Sequence, residues 1–185
     1  MSETVSRRRR PVMQMGYVTK DLDRSLDYWT NVVGAGPFYI ADFTLTEQVY
    51  RGRSANAHVT VAMGFSGDVQ IEVTRQNNDS PSAYTEFYER GQEIPRGGLF
   101  HHVMIKHDNY DDAYDAYLQA GAIRCFDAVV PGVGRFCYLD TRHMMDSYVE
   151  LLEVSPSFDE ACRKMREAHL AWDGRDPKRP YESLF

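Results

Sequence analysis

Cysteine is scarce in this chain: three residues in 185, odd in number and without C-x-x-C spacing. Neither a disulfide framework nor a zinc knuckle is indicated, and a reducing, cytoplasmic setting is expected. Long apolar runs are missing too. None approaches the roughly 20 residues that a membrane span needs, so no membrane partner is expected. Basic charge is in deficit, 21 Lys and Arg against 27 Asp and Glu, for a net charge of −6. Phosphate binding needs a clustered basic field, so nucleic acid is not an expected partner either. The one basic run, Arg7 to Arg10, sits in a polar stretch without a following apolar segment and reads as a solvated tail, not a secretory signal.

What is present is ordinary for a soluble globular protein: 43% hydrophobic and 26% charged residues, in a chain long enough for one body or two tightly joined small modules. Residues 12–19 read as a first strand, with Met13, Met15 and Tyr17 on one face and Gln14, Gly16 and Val18 on the other. Asp21 suits the N-cap of a helix in which Leu22, Leu26, Trp29 and Val33 recur at helical spacing, ended by Gly34 and Gly36. Strands are expected at 38–45, 58–65 and 68–75, with a polar loop through Arg51, Arg53 and Asn56 between the first two. In the last of them Val69, Ile71 and Val73 alternate with Gln70, Glu72 and Thr74. Residues 77–98 read as a connector with a short helix from Ser80-Pro81 to Gly91, striped by Tyr84, Phe87 and Tyr88.

The order then repeats. Residues 99–106 form a strand with Val103 and Ile105 on one face and His102, Met104 and Lys106 on the other. A helix is expected from about 110 to 120, then strands near 123–130, 134–141 and 147–154. Gln14-Met15-Gly16-Tyr17-Val18 aligns with His102-Val103-Met104-Ile105-Lys106, and Glu72 and Glu150 fall on the last strand of each half. The unit is βαβββ. The expected fold is α+β: two βαβββ modules at 11–76 and 99–155, joined by a connector at 77–98, forming a pseudo-symmetric cup. Residues 156–185 read as a C-terminal helix and tail. Ser157-Phe158-Asp159-Glu160 has the capping-box pattern, Phe158, Ala161, Met165 and Trp172 form an apolar face, and Tyr181 and Phe185 are placed to dock back.

Four polar side chains, Gln14, Glu72, His102 and Glu150, occupy the first and last strands of the two halves, each opposite its strand's aliphatic face. If the strands of each half curl, these faces converge, and one imidazole, two carboxylates and an amide oxygen make a divalent-metal set with open positions. A solvated polar side of a sheet would give the same pattern without a metal. His101 points opposite His102 by strict alternation and reads as structural. His58 suits either a hydrogen-bonded structural role or an acid/base group beside Glu72. Arg51 and Arg53 suit a charged solvent loop or an anion contact, and His107 and His143 lie near strand ends.

The repeat, the opening Gln14-Met15-Gly16-Tyr17-Val18 with Asp21-Leu22-Asp23, the strand Gly98-Leu99-Phe100-His101-His102-Val103 and the strand Tyr148-Val149-Glu150-Leu151-Leu152 resemble the vicinal oxygen chelate superfamily over about residues 11–155. That superfamily includes glyoxalase I, methylmalonyl-CoA epimerase, extradiol dioxygenases and bleomycin- and fosfomycin-resistance proteins. The resemblance implies metal ligands at Gln14, Glu72, His102 and Glu150, holding a divalent ion such as Zn, Ni, Co, Mn or Fe. It implies a metal-dependent lyase or isomerase, of lactoylglutathione lyase or epimerase type, that moves a proton next to the carbonyl of a small molecule. Glu150 is the first choice as base and Glu72 its counterpart, roles that symmetry allows to be exchanged, in a homodimer. Gln14 stands where many members carry histidine, and the loop 141–147 lacks a glycine often found shortly before the last glutamate. A ring-cleaving dioxygenase fits less well, because non-haem iron favours two histidines and only His102 is supplied unless His58 joins. A non-catalytic small-molecule binding or resistance protein is the third reading, its cup lined by aromatics from among Tyr17, Trp29, Phe38, Tyr39, Phe136, Tyr138 and Tyr148.

Overall fold

The computed structural model describes residues 11–88, 93–153 and 155–185. The Arg7 to Arg10 run, Gly91 and Val154 lie outside these. In the first half, strands β1 (Val12–Val18), β2 (Phe38–Thr44), β5 (His58–Ser66) and β6 (Val69–Gln76) accompany helix α1 (Leu22–Tyr28), which continues as a wider turn over Trp29–Val33. Between β2 and β5 lie two short strands, β3 (Thr46–Tyr50) and β4 (Arg53–Ser54). The second half contains β7 (Leu99–Ile105), helix α3 (Tyr110–Gln119), β8 (Ile123–Val130), β9 (Gly134–Asp140), the short helix α4 (Arg142–Met145) and β10 (Tyr148–Leu152). A short helix α2 (Thr85–Tyr88) lies in the connector. Helix α5 (Pro156–Leu170), strand β11 (Lys178–Pro180) and a 3-10 turn at Tyr181–Leu184 end the chain.

All described strands join one mixed sheet, ordered β11, β2, β5, β6, β1, β7, β10, β9, β8, β3, β4. At its centre β1 and β7 run antiparallel, flanked by β6 and β10, each parallel to its neighbour. The register carries the internal repeat. Gln14 faces Met104 and Gly16 faces His102, so exchanging the halves returns the same two pairs. Gly16 lies beside Glu72 and Met104 beside Glu150, again equivalent under the exchange.

Period-2 alternation sorts the sheet into two faces. Met15, Tyr17, Ile71 and Val73 pack under α1 with Leu22, Leu26 and Trp29. Val103, Leu139, Val149 and Leu151 pack under α3. Burying each such side chain stabilises the fold by about 1.5–3 kcal/mol. Asp21 caps α1 by accepting the Arg24 amide at 3.0 Å, as its position before Leu22 predicts. Val33 leaves the predicted stripe and is 42% exposed, because the wider turn at Trp29–Val33 abandons the 3.6-residue period that aligned it. The opposite, concave face carries the third core cluster, including Val61, Met63, Phe136, Tyr138 and Tyr148, with Phe158 and Met165 of α5 packed on it.

Four expectations change. The polar stretch after Thr44 is not a loop: β3 crosses to the second half and pairs with β8, Thr46 against Val129 and Tyr50 against Phe126. Among its described residues the connector is helical only at Thr85–Tyr88, because the Ser82 hydroxyl accepts the amides of Tyr84 and Thr85, and the residues before it turn into the core. Helix α5 starts two residues early. Ser155 caps it by accepting the Phe158 amide at 3.3 Å, and Pro156, which has no amide hydrogen to leave unpaired, fills the first turn. It ends at Leu170, short of Trp172. In the tail Tyr181 packs on the core and Leu184 is buried, whereas Phe185 is 70% exposed and meets the Tyr181 ring.

Candidate functional site

His102 is placed by its neighbours on two strands. The pairing of β1 with β7 slips between Gly16 and Tyr17: Gly16 faces His102, Tyr17 faces Phe100, and His101 is the extra residue. A bulge re-aims side chains relative to strict alternation. His101 accordingly does not point away from His102, as its position predicts. The two Nδ1 atoms lie 2.8 Å apart and both rings are buried. The His102 ring itself lies across Gly16, where a β-carbon would meet Cε1 at 1.9 Å.

Proton positions follow from the partners. Nε2 of His101 faces the carbonyl oxygen of Ala83 at 3.3 Å, and a carbonyl only accepts, so this nitrogen carries the hydrogen. Burial, helped by His102, holds His101 well below the ordinary imidazole range and therefore neutral. Nδ1 of His101 is then the acceptor and Nδ1 of His102 the donor. Nε2 of His102 is left to face Glu150, Gln14 and Glu72. Burial alone lowers the pKa of His102, but Glu150 and Glu72 outweigh it and the net shift is upward.

Around that nitrogen stand Glu150 Oε2 at 2.8 Å, Gln14 Oε1 at 3.4 Å and Glu72 Oε1 at 3.9 Å. The four residues named from the sequence thus meet at one point. Gln14 is oriented by its amide nitrogen, which donates to Gln70 Oε1 at 2.8 Å and Glu72 Oε2 at 2.9 Å, turning its oxygen toward His102. The Thr74 hydroxyl donates to Glu72 Oε1 at 2.9 Å. Burial pushes the Glu72 carboxyl up to about 7, with His102 opposing the rise and Glu150 adding to it. Glu150 Oε2 is buried without a hydrogen bond, its His102 neighbour lying off the donor axis. Gln70, Thr74 and His101 were not singled out as site residues. The first two share the period-2 face of Glu72, the signal that was there to find; nothing local signals the bulge at His101.

Among the described residues no three His, Cys, Asp or Glu side chains form a ready-made metal-holding group. The spacing around Nε2 nevertheless fits a shared ion once Gln14 is counted. Donors bound at about 2.1 Å stand about 3 Å apart at right angles and about 4 Å apart when opposed, a range that the observed 2.8, 3.4 and 3.9 Å approach. The orphaned Glu150 oxygen is the lone pair such an ion would satisfy.

The cup above this cluster holds a cavity of about 60 Å³, partly open to solvent. Gln14, Glu72 and Glu150 form its polar end, with the hydroxyls of Tyr84 and Tyr138, 3.4 Å apart, beside them. Of the aromatics predicted for the cup, Phe136 and Tyr138 line it, whereas Tyr17, Trp29 and Phe38 pack under α1. His58 is exposed at the start of β5, bonded to Asn56, and does not join the cluster. His143 is exposed on α4, and the ring of His107 meets Tyr117. Arg53 is exposed; Arg51 is engaged by Glu86 and Asp140, each at 2.8 Å.

The sequence model of the Glyoxalase/Bleomycin resistance protein/Dioxygenase superfamily matches residues 13–138. The chain belongs to this superfamily. Its fold is shared with a hypothetical protein from Bacillus halodurans C-125, at TM-score 0.55 and 13% identity over 80% of this chain and 96% of that one. It is also shared with methylmalonyl-CoA epimerase from Mycobacterium tuberculosis, at TM-score 0.51 and 13% identity over 80% and 89% of the two chains. No curated protein matches the chain by sequence. The superfamily match holds Gln14, Glu72 and His102 and stops before Glu150, α5 and the tail. Among the described residues no helix is long and apolar enough to cross a membrane.

Proposed function

We propose that this superfamily member is a metal-dependent lyase or isomerase that moves a proton at the carbon next to a carbonyl of a small molecule. The observation that carries this reading is Oε2 of Glu150: a buried carboxylate oxygen with no hydrogen bond, 2.8 Å from the His102 ring at the polar end of a cavity. A base needs a lone pair free to take a proton. Both oxygens of Glu72, by contrast, are engaged by Thr74 and Gln14. Glu150 is therefore the base that takes the proton from carbon, and Glu72, its carboxyl pushed up to about 7, is the counterpart across the cup that delivers a proton of its own. His102, Gln14, Glu72 and Glu150 would hold the divalent cation, with His102 as anchor because imidazole binds borderline metals better than an amide oxygen does. When bound, that cation supplies Lewis-acid stabilisation of the charge developing on the carbonyl oxygen. The apolar walls limit water around the carboxylates, which slows the loss of a held proton to solvent.

The test is the divalent-metal content of purified protein and its variants. His102→Ala abolishes metal binding, Glu72→Ala and Glu150→Ala weaken it strongly, and Gln14→Ala weakens it mildly. Wild-type protein that takes up no divalent metal, or His102→Ala protein with wild-type metal content, removes this mechanism and leaves a small-molecule binding protein in its place.

A further inference from the structure

The cup is closed by a segment beyond the superfamily match. Phe158 of α5 and Tyr181 of the tail face the cavity, opposite walls built from residues such as Val61, Met63, Phe136 and Leu152. This roof is held at several points. Phe158, Ala161, Cys162 and Met165 are buried against the concave face. The Gly67 amide donates to Nε2 of His169 at 3.1 Å, and Nδ1 of His169 donates to the Gly36 carbonyl at 2.6 Å, so one imidazole ties α5 to two loops of the first half. β11 extends the sheet beside β2, and Lys178 pairs with Asp23 at 2.8 Å. Gln70, which orients Gln14, also donates to Cys162 Sγ at 3.5 Å. Roof and polar end therefore share one hydrogen-bonded chain.

The charge of the lining restricts what fits. Among the described residues no Lys, Arg or His lines the cavity, and Glu72 and Glu150 are its carboxylates. Arg51 and Arg142, the cations beside Glu86 and Asp140, are already paired there. A divalent ion at the polar end would be neutralised by the two glutamates. An anion entering this cup would lose its water and meet no compensating charge. Aromatic rings on the roof and walls instead favour an apolar ring, stacked or edge-on.

We propose that residues 156–185 form a specificity-determining roof, and that the substrate is a compact, uncharged, ring-bearing ketone or hydroxyketone. Its oxygens lie toward Gln14, Glu72 and Glu150, and its ring lies against Phe158 and Tyr181. The proposal rests on the proton-transfer reading for the identity of the polar group, and on the lining alone for the ring and the missing charge.

The probe is 2-hydroxyacetophenone, a neutral aromatic hydroxyketone, titrated calorimetrically into the full-length protein beside coenzyme A and glutathione. Proton NMR in deuterium oxide follows exchange at the carbon next to its carbonyl in the same samples. The neutral ketone binds and the two anionic carriers do not. Tyr181→Ala and Phe158→Leu each weaken that binding by about tenfold or more. Tyr181 is only partly buried, so its variant keeps the test intact should Phe158→Leu unfold. Roof-dependent binding without exchange supports the roof and overturns the proton-transfer reading. Failure of the ketone to bind, preferential binding of coenzyme A or glutathione, or an affinity untouched by Tyr181→Ala overturns the roof.

Discussion

The imidazole of His102 rests on Gly16 of the neighbouring strand, where the side chain of any other residue would have to be. Gly16→Ala puts a methyl group within 1.9 Å of Cε1, so the ring must leave its place. A loss of about 1–3 kcal/mol is expected for such overpacking, together with loss of divalent-metal binding. A chemical melt and a metal assay on the same sample check both. Unchanged values would show that the ring has room that the structure denies it.

His101 acts on His102 through Nδ1, stacks on Tyr84 and meets Phe87, Tyr138 and Tyr148 at steep angles. His101→Phe keeps the aromatic packing and removes the acceptor, leaving the Nδ1–H of His102 buried and unpaired. Metal affinity is expected to fall by about 10–100-fold, the usual effect of losing such an outer partner, while the fold persists. Chelator competition measures this. His101→Gln, which can still accept, restores part of the loss.

Acid sensitivity resides in a second charged group. Burial alone raises Glu86 and Asp140, but hydrogen bonds from Arg51 and Tyr148 to Glu86, and from Arg142 and Arg51 to Asp140, outweigh it and hold both below the usual carboxylate range. The unfolded chain therefore takes up these protons at a higher pH than the folded one. Their contribution is complete above about pH 4, the unfolded value, and is lost as pH falls through the lower folded values. Urea midpoints measured from neutral pH downward should drop in that range for wild type and less steeply for Arg51→Met. Equal slopes would remove the network from the explanation.

Removing residues 156–185 uncovers the concave face and the β2 edge. Phe158 and Met165 alone bury side chains worth about 1.5–3 kcal/mol each, and an unpaired edge strand invites association. A chain ending at Ser155 is expected to melt lower and to aggregate. If it melts with the full-length protein, α5 is an appendage and not part of the core. His169→Ala is the milder version: it breaks two hydrogen bonds at once, and a loss of about 1–3 kcal/mol is expected in a denaturant titration.

Local rules were enough for much of this protein. Alternation placed Gln14, Glu72, His102 and Glu150 opposite the aliphatic faces of their strands, and the aligned halves marked the repeat that the pairing of Gly16 with His102 and of Met104 with Glu150 then carries. Asp21, Leu22 and Leu26 specified the start and buried stripe of α1 because capping and helical period act within a few residues. Long-range pairing decided the rest. β3 reads as polar loop because what makes it a strand is the edge of β8, some 80 residues further on, and edge pairing leaves little mark on side-chain pattern. The bulge that turns His101 toward His102 arises from a slip against β1 that the sequence of β7 alone does not contain. Convergence of the four site residues needed the sheet's curvature, and the roof needed α5 to fold back on it. Chemistry and face were written along the chain; proximity came only with the tertiary structure, since distances between residues far apart in sequence are set by packing.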